Sequence, residues 1–154
     1  MDNRTFRDAM GKFATGITVI TTEHEGEVYG MTANAFMSIS LEPKLIAVSI
    51  DKSASMFDIL PKTDTFAVNM LKEEQKYLAQ IFAKQIEKDK EPTYESIDGT
   101  PVLEDTLASV VCKVYKEVEA GDHVIFIAEV TNLKLGEGSP VLYFDSNYEA
   151  LRIE

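Results

Sequence analysis

The stretch "GMTANAFMSISLEPKLIAVSID", residues 30–51, decides how this chain is read. Its two ends look like strands: "EVYGMTANAF" leads in, and "KLIAVSI" follows "LEP" with dense β-branched content. Between them, hydroxyl, amide and small residues recur in a segment apolar enough to be buried. A buried hydroxyl or amide without a partner costs on the order of 1–3 kcal/mol. Thr32, Asn34, Ser38 and Ser40 therefore need the backbone, water or a ligand. All four share one parity, so a continuous strand would set them on one face, facing either water or a ligand.

Working outward, "GITVITTE" (16–23) and "EVYGMTANAF" flank the polar, Gly-containing "EHEGE" and read as a hairpin. Upstream, Phe6, Met10 and Phe13 with Ala9 form the apolar stripe of a short helix, capped by Asp2 or Asn3 and ended by Gly16. Downstream, "SASMFDIL" (53–60) is helical in period and "TFAVNML" (65–71) reads as a strand. "KEEQKYLAQIFAKQ" (72–85) is a helix carrying Leu78, Ile81 and Phe82 on one face. The charged, Pro- and Gly-punctuated stretch 86–105 reads as an exposed excursion returning to the core at Val102 and Leu103. Two β-rich arms around "EAGDH" (119–123) and a final pair in "PVLYFDSNYEAL" (140–151) complete the pattern. Six or seven mostly antiparallel strands with two or three short helices predict an α+β, mainly antiparallel barrel. No repeat or linker divides it, so residues 1–154 are read as one domain.

Fifteen Lys and Arg against 26 Asp and Glu give a net charge of −11, a field that disfavours nucleic acid and anionic membrane surfaces. The same field opposes a phosphate-bearing ligand, which would need strong local donors. One cysteine, Cys112, excludes an internal disulfide, and with only two histidines a Cys/His zinc site is not expected. The charged start lacks a signal-peptide core and the apolar runs are too short for a bilayer helix, so a cytoplasmic address is expected.

The sequence carries no GxSxG elbow, Walker loop, GxGxxG after a strand, or HExxH. His24 sits in a polar turn. His123, in "GDH" at a strand entrance, is either a hydrogen-bonded turn histidine or a functional one. "VSIDKSAS" (48–55) sets Ser49, Asp51, Lys52, Ser53 and Ser55 where a strand ends and a helix begins. That grouping suits an anion site with Lys52 as its local cation, or ordinary capping by Ser53.

Six pieces in order, "FRDAMGKFATGITVITT", "GMTANAFMSISLEPKLIAVSID", "FAVNMLKEEQKYLAQIFA", "GTPVLED", "GDHVIFIAEV" and "PVLYFDSNY", resemble the flavin reductase-like, FMN-binding split-barrel family over nearly the whole chain. "LEPKL" stands where that family more often shows a double proline. The resemblance implies a homodimeric split β-barrel that binds FMN, or less often FAD, and uses NAD(P)H as co-substrate. It further implies that Met31, Thr32, Ala33, Asn34, Ser38 and Ser40 line the flavin. Ser49, Asp51, Lys52, Ser53 and Ser55 would form the phosphate and ribityl side. His123 would help position the nicotinamide, with Tyr148 as an aromatic close by. Hydride transfer from nicotinamide to flavin needs proximity and stacking more than a protein acid or base, so the missing triad is expected. Reduced flavin would pass to a partner monooxygenase or another acceptor. The alternative on the same fold is an FMN-retaining electron carrier of the flavoredoxin type.

Overall fold

The computed structural model describes residues 1–152. Helix α1 (Asn3–Gly11) precedes strands β1 (Thr15–Gly16), β2 (Thr18–His24), β3 (Glu27–Ala33), β4 (Phe36–Leu41) and β5 (Lys44–Asp51). Helix α2 (Ser55–Thr63), β6 (Thr65–Met70), a 3-10 turn (Glu73–Gln75) and helix α3 (Lys76–Phe82) follow. The remainder is β7 (Tyr94–Ile97), β8 (Thr100–Leu103), the long arms β9 (Ala108–Ala120) and β10 (His123–Leu135), then β11 (Val141–Phe144) and β12 (Asn147–Ala150).

Seven strands form one antiparallel sheet in the order β3-β2-β6-β9-β10-β5-β4. Its two edge strands, β3 and β4, are consecutive in the chain and separated only by Asn34 and Ala35. A linker that short forces the sheet to curl until its edges approach, and the Ser49 N–H donates to the Ala35 carbonyl at 3.0 Å, which carries the β4–β5 pairing into the linker. The sheet does not close, so the product is a mostly antiparallel split barrel with three short helices. Its core packs Ile20, Val48, Ile50, Phe66, Val68 and Phe126 beneath Leu60 of α2. A second cluster, with Val19, Leu71, Leu78, Leu103 and Val141, sits beneath the small β1-β11-β12 sheet and α3.

Asn69 ties these layers together. Its amide donates to the Val19 carbonyl and to Thr21 Oγ1, both at 2.9 Å. Its carbonyl oxygen accepts from the Leu103 N–H at 2.9 Å and from Ser109 Oγ at 2.8 Å. Thr106 Oγ1 lies 2.7 Å from Ser109 Oγ, and Thr21 Oγ1 donates to the Pro101 carbonyl at 2.6 Å. Every polar group of this knot is spent, which is the condition under which buried polar groups hold a core together.

Three sequence expectations change. The segment 31–40 is not one strand: the chain breaks at Asn34–Ala35, and a bulge between Ser38 and Ser40 interrupts their pairing with β5, so shared parity does not put the four polar residues on one face. The excursion 86–105 ends in a hairpin, β7–β8, turned by Asp98 and Gly99, both at positive φ (51° and 83°). Helix α1 is capped by the Asp2 carboxylate on the Thr5 N–H, as anticipated, but it stops at Lys12, and Gly16 pairs with Leu142 in β1. Its stripe of Phe6, Met10 and Phe13 faces solvent in the single chain.

Candidate functional site

Strand β3 is the floor of a groove. Tyr29, Gly30, Met31 and Thr32 lie between the start of α2 (Ser53 to Met56) and the segment leaving α3 (Phe82 to Lys84), which together enclose a cavity of about 370 Å³. A Cβ on Gly30 would sit 2.4 Å from the Phe82 ring, so the missing side chain lets that ring lie against the strand backbone as a wall. A second cavity of about 260 Å³ continues past Thr32 and Ala83 to Asn34, Gln85, Tyr143 and Tyr148. Beyond Ile17 and Asn34 comes a third, of about 310 Å³, with mostly apolar walls.

Thr32 is spent inside the protein: its hydroxyl donates to the Ala79 carbonyl at 2.7 Å, locking β3 onto α3 and setting the groove width. The buried Ala33 offers its carbonyl to Thr18 Oγ1 at 2.6 Å. Tyr148 donates from its hydroxyl to Gln85 Oε1 at 2.7 Å and meets the Tyr143 ring edge-on at 5.6 Å. Lys76 lies over its ring at 5.6 Å. Partial burial, reinforced by Tyr143, raises the Tyr148 hydroxyl above its ordinary pKa, while the Gln85 contact opposes the shift.

The rim of the groove is built where β5 meets β10. His123 pairs across the strands with Asp51, and the Lys52 N–H donates to the Asp122 carbonyl at 3.0 Å. Asp51 Oδ1 accepts both the backbone N–H and the hydroxyl of Ser53 at 2.8 Å. Those two bonds hold Asp51 below the ordinary carboxylate range, and the nearby His123 adds to the effect. Lys52 Nζ lies 3.1 Å from Glu119, and His123 Nδ1 lies 2.8 Å from Asp122 Oδ1. Ser53 does not cap the helix. Ala54 holds that position without a side-chain bond, leaving the first N–H groups of α2 at the cavity edge.

The structure thus brings Met31, Thr32, Asn34, Ser53, Ser55 and Tyr148 into one groove, while Asp51, Lys52 and His123 stand beside it at the β5–β10 end, outside the cavity linings. Ser38 and Ser40 lie on β4 at the opposite sheet edge, and Ser49 sits midway along β5. Sequence reasoning missed the far wall, Phe82 to Gln85, and Tyr143 beside Tyr148. The one local signal was Gly30, a glycine inside a strand, which marks close approach of another group. Among the described residues, no helix is long and apolar enough to cross a membrane, and no three metal-ligating side chains gather.

This split barrel is the architecture of solved flavin reductases. The solved structure "Flavin reductase PheA2 in native state" superposes with a TM-score of 0.97 at 52% identity, covering 99% of this chain and 100% of that one. The NADH-dependent flavin reductase StyB of Pseudomonas fluorescens is 40% identical over 153 residues, 96% of this chain and 89% of its own length. The reductase component of 4-hydroxyphenylacetate 3-monooxygenase from Thermus thermophilus is 33% identical over 147 residues, 95% of both chains. The chain belongs to the flavin reductase-like domain family, whose model matches residues 10–152.

Proposed function

We propose that this protein is an NAD(P)H-dependent flavin oxidoreductase that supplies reduced FMN or FAD to a partner oxygenase. The observation that carries the reading is the continuous groove along β3, in a chain that aligns end to end with named flavin reductases. The donor set fits a flavin. Phe82 packed on Gly30 gives the groove a flat aromatic wall, Ser55 and the first N–H groups of α2 offer donors for a phosphate and ribityl chain, and Tyr148 lines the far cavity with an aromatic edge. A bound flavin supplies the electron-accepting ring; the chain supplies everything that brings the donor to it.

In this reading the backbone of Met31 to Asn34 orients the ring edge, and Lys52 and Ser55, with Ser53 fixed in place by Asp51, hold the phosphate side. His123, half-exposed on the rim, positions the nicotinamide nucleotide. None of these residues has to move a proton, since hydride transfer depends on stacking and exclusion of water. Exposed Met37, Ile39 and Leu41 on β4 and Leu133 and Leu135 on β10 supply an apolar face suited to a second copy, which supports a homodimer. The Thermus thermophilus relative is named as a reductase component, which supports a separate oxygenase as the acceptor. A cytoplasmic location completes the reading.

An anaerobic stopped-flow assay tests it, mixing the protein with FMN or FAD and NADH or NADPH. Rapid bleaching with turnover of excess flavin is expected. Flavin that stays bound and is reduced only by an added protein donor would make the protein an electron carrier instead. Replacing His123 with Ala should impair nicotinamide use and spare flavin affinity; unchanged kinetics would remove His123 from the site.

A further inference from the structure

The groove along β3 does not end at its phosphate side. Past Ser55 and Lys84 it opens into a further cavity of about 610 Å³, large enough for a small-molecule group of its own. The two spaces share Tyr29, Gly30, Ser55, Phe82 and Lys84 as walls, so they form one continuous channel. FMN would stop short of the second space, because its single phosphate is placed at Ser55 and the start of α2. FAD carries beyond that point a second phosphate, a ribose and an adenine.

Lys84 lines both spaces where they join and enters no ion pair among the described residues. Its backbone is pinned in the turn that ends α3, at a φ of 59°. Its N–H donates to the Ile81 carbonyl at 3.0 Å, and the Gln85 N–H donates to the Gln80 carbonyl at 2.9 Å. In a chain of net charge −11, a pyrophosphate needs local cations of this kind. Lys88 is a second, 2.6 Å from Glu91. Glu87 and Glu91 line the same cavity, where carboxylates accept hydrogen bonds from the hydroxyls of a ribose and repel a phosphate esterified to it. Tyr29 on β3 and Tyr94 on β7, both partly buried, supply ring surface for an adenine. Asp51, Lys52 and His123, beside which the nicotinamide is placed, do not line this cavity.

Resting on the flavin reductase reading above, we infer that this cavity takes the adenosine monophosphate half of FAD, with Lys84 on the pyrophosphate, and that this chain therefore prefers FAD to FMN. The test measures dissociation constants for FAD and FMN by fluorescence in the parent, Lys84→Gln and Lys84→Arg. The parent should bind FAD about tenfold or more tighter than FMN. Lys84→Gln should weaken FAD about tenfold, the effect of one lost charge-assisted hydrogen bond, and FMN by no more than about threefold, so that the preference shrinks. Lys84→Arg keeps the charge and should keep the preference. A parent that binds FMN as tightly as FAD overturns the inference and leaves the reductase reading standing. An equal loss for both flavins in Lys84→Gln assigns the lysine to the phosphate that they share and overturns it as well. The KM for NADH, taken at saturating FMN, covers the remaining source of adenosine: a rise in Lys84→Gln with FAD affinity unchanged would give the cavity to the nicotinamide donor instead. If the parent takes up neither flavin, it is the reductase reading that has failed, and this inference falls with it.

Discussion

The Asn69 knot and the β3 groove use the same kinds of residue to opposite ends. In the knot, amide and hydroxyl groups of Asn69, Thr21, Thr106 and Ser109 satisfy one another completely between buried strands. Along the groove, Thr32 is spent on a helix carbonyl, while Thr15 is orphaned and Asn34 makes no side-chain bond among the described residues. Polar groups that stabilise the fold are closed on themselves, whereas along the groove some polar side chains have no protein partner. Substitutions in the two regions should therefore separate stability from binding.

The largest effect is expected in the knot. Asn69→Ala strands the Leu103 N–H in a dry core and strips a partner from the Ser109 hydroxyl, Thr21 Oγ1 and the Val19 carbonyl, and should cost about 3–4 kcal/mol in urea unfolding. Below its unfolding transition the variant should keep near-parental flavin affinity. A matching loss of affinity would show that the two regions are not independent. Next comes Gly30→Ala, which drives a methyl into the Phe82 ring and should cost about 1–3 kcal/mol through overpacking while also weakening flavin binding. Adding Phe82→Ala should recover stability but not affinity, because the clash is relieved and the wall is gone. A double-mutant cycle measures both terms.

The fold was largely legible because its hairpins advertise themselves. The Gly-containing break before Glu27 and the "GDH" turn between β9 and β10 sit between clearly β-branched arms. The β7–β8 hairpin was hidden, despite Asp98–Gly99, by the charged run that precedes it. The break between β3 and β4 falls at Asn34–Ala35, which carries neither Gly nor Pro, so nothing local announces it. Half the groove was legible for the same reason that hairpins are: Ser53 and Ser55 mark a strand-to-helix junction. The wall from Phe82 to Gln85 was not, since only tertiary packing, through Thr32 onto the Ala79 carbonyl, brings α3 to β3.

Cys112 sharpens the stability side of the contrast. It is fully buried on β9, and burial pushes its thiol up to about 12 from an ordinary 9.0. The unfolded chain loses this proton first, so the folded state keeps its full stability below pH 9 and loses it as pH rises from 9 towards 12. At pH 10 the loss should be on the order of 1 kcal/mol. Denaturant midpoints between pH 8 and 10 should fall more steeply for the parent than for Cys112→Ala; parallel slopes would mean that the thiol is open to solvent. Tyr94, likewise raised by burial to about 12, adds to the alkaline loss in both proteins and cancels in that difference.

The smallest stability effect should come with a gain in binding. Lys52, beside the groove, is held 3.1 Å from Glu119, which is itself largely exposed. An exposed pair of this kind contributes about 0–1 kcal/mol, so Glu119→Gln should leave the urea midpoint almost unmoved. It removes a negative charge from an already acidic surface and frees the Lys52 ammonium for an anion at Ser53 and Ser55. FMN affinity should therefore rise about two- to fivefold at low salt and return toward parental values as ionic strength screens the charge. Riboflavin, which has the same ring and no phosphate, should bind parent and variant alike. An equal gain for both ligands would place the effect on the ring and leave the phosphate side of the groove unassigned, whereas a gain confined to FMN locates the phosphate within reach of Lys52.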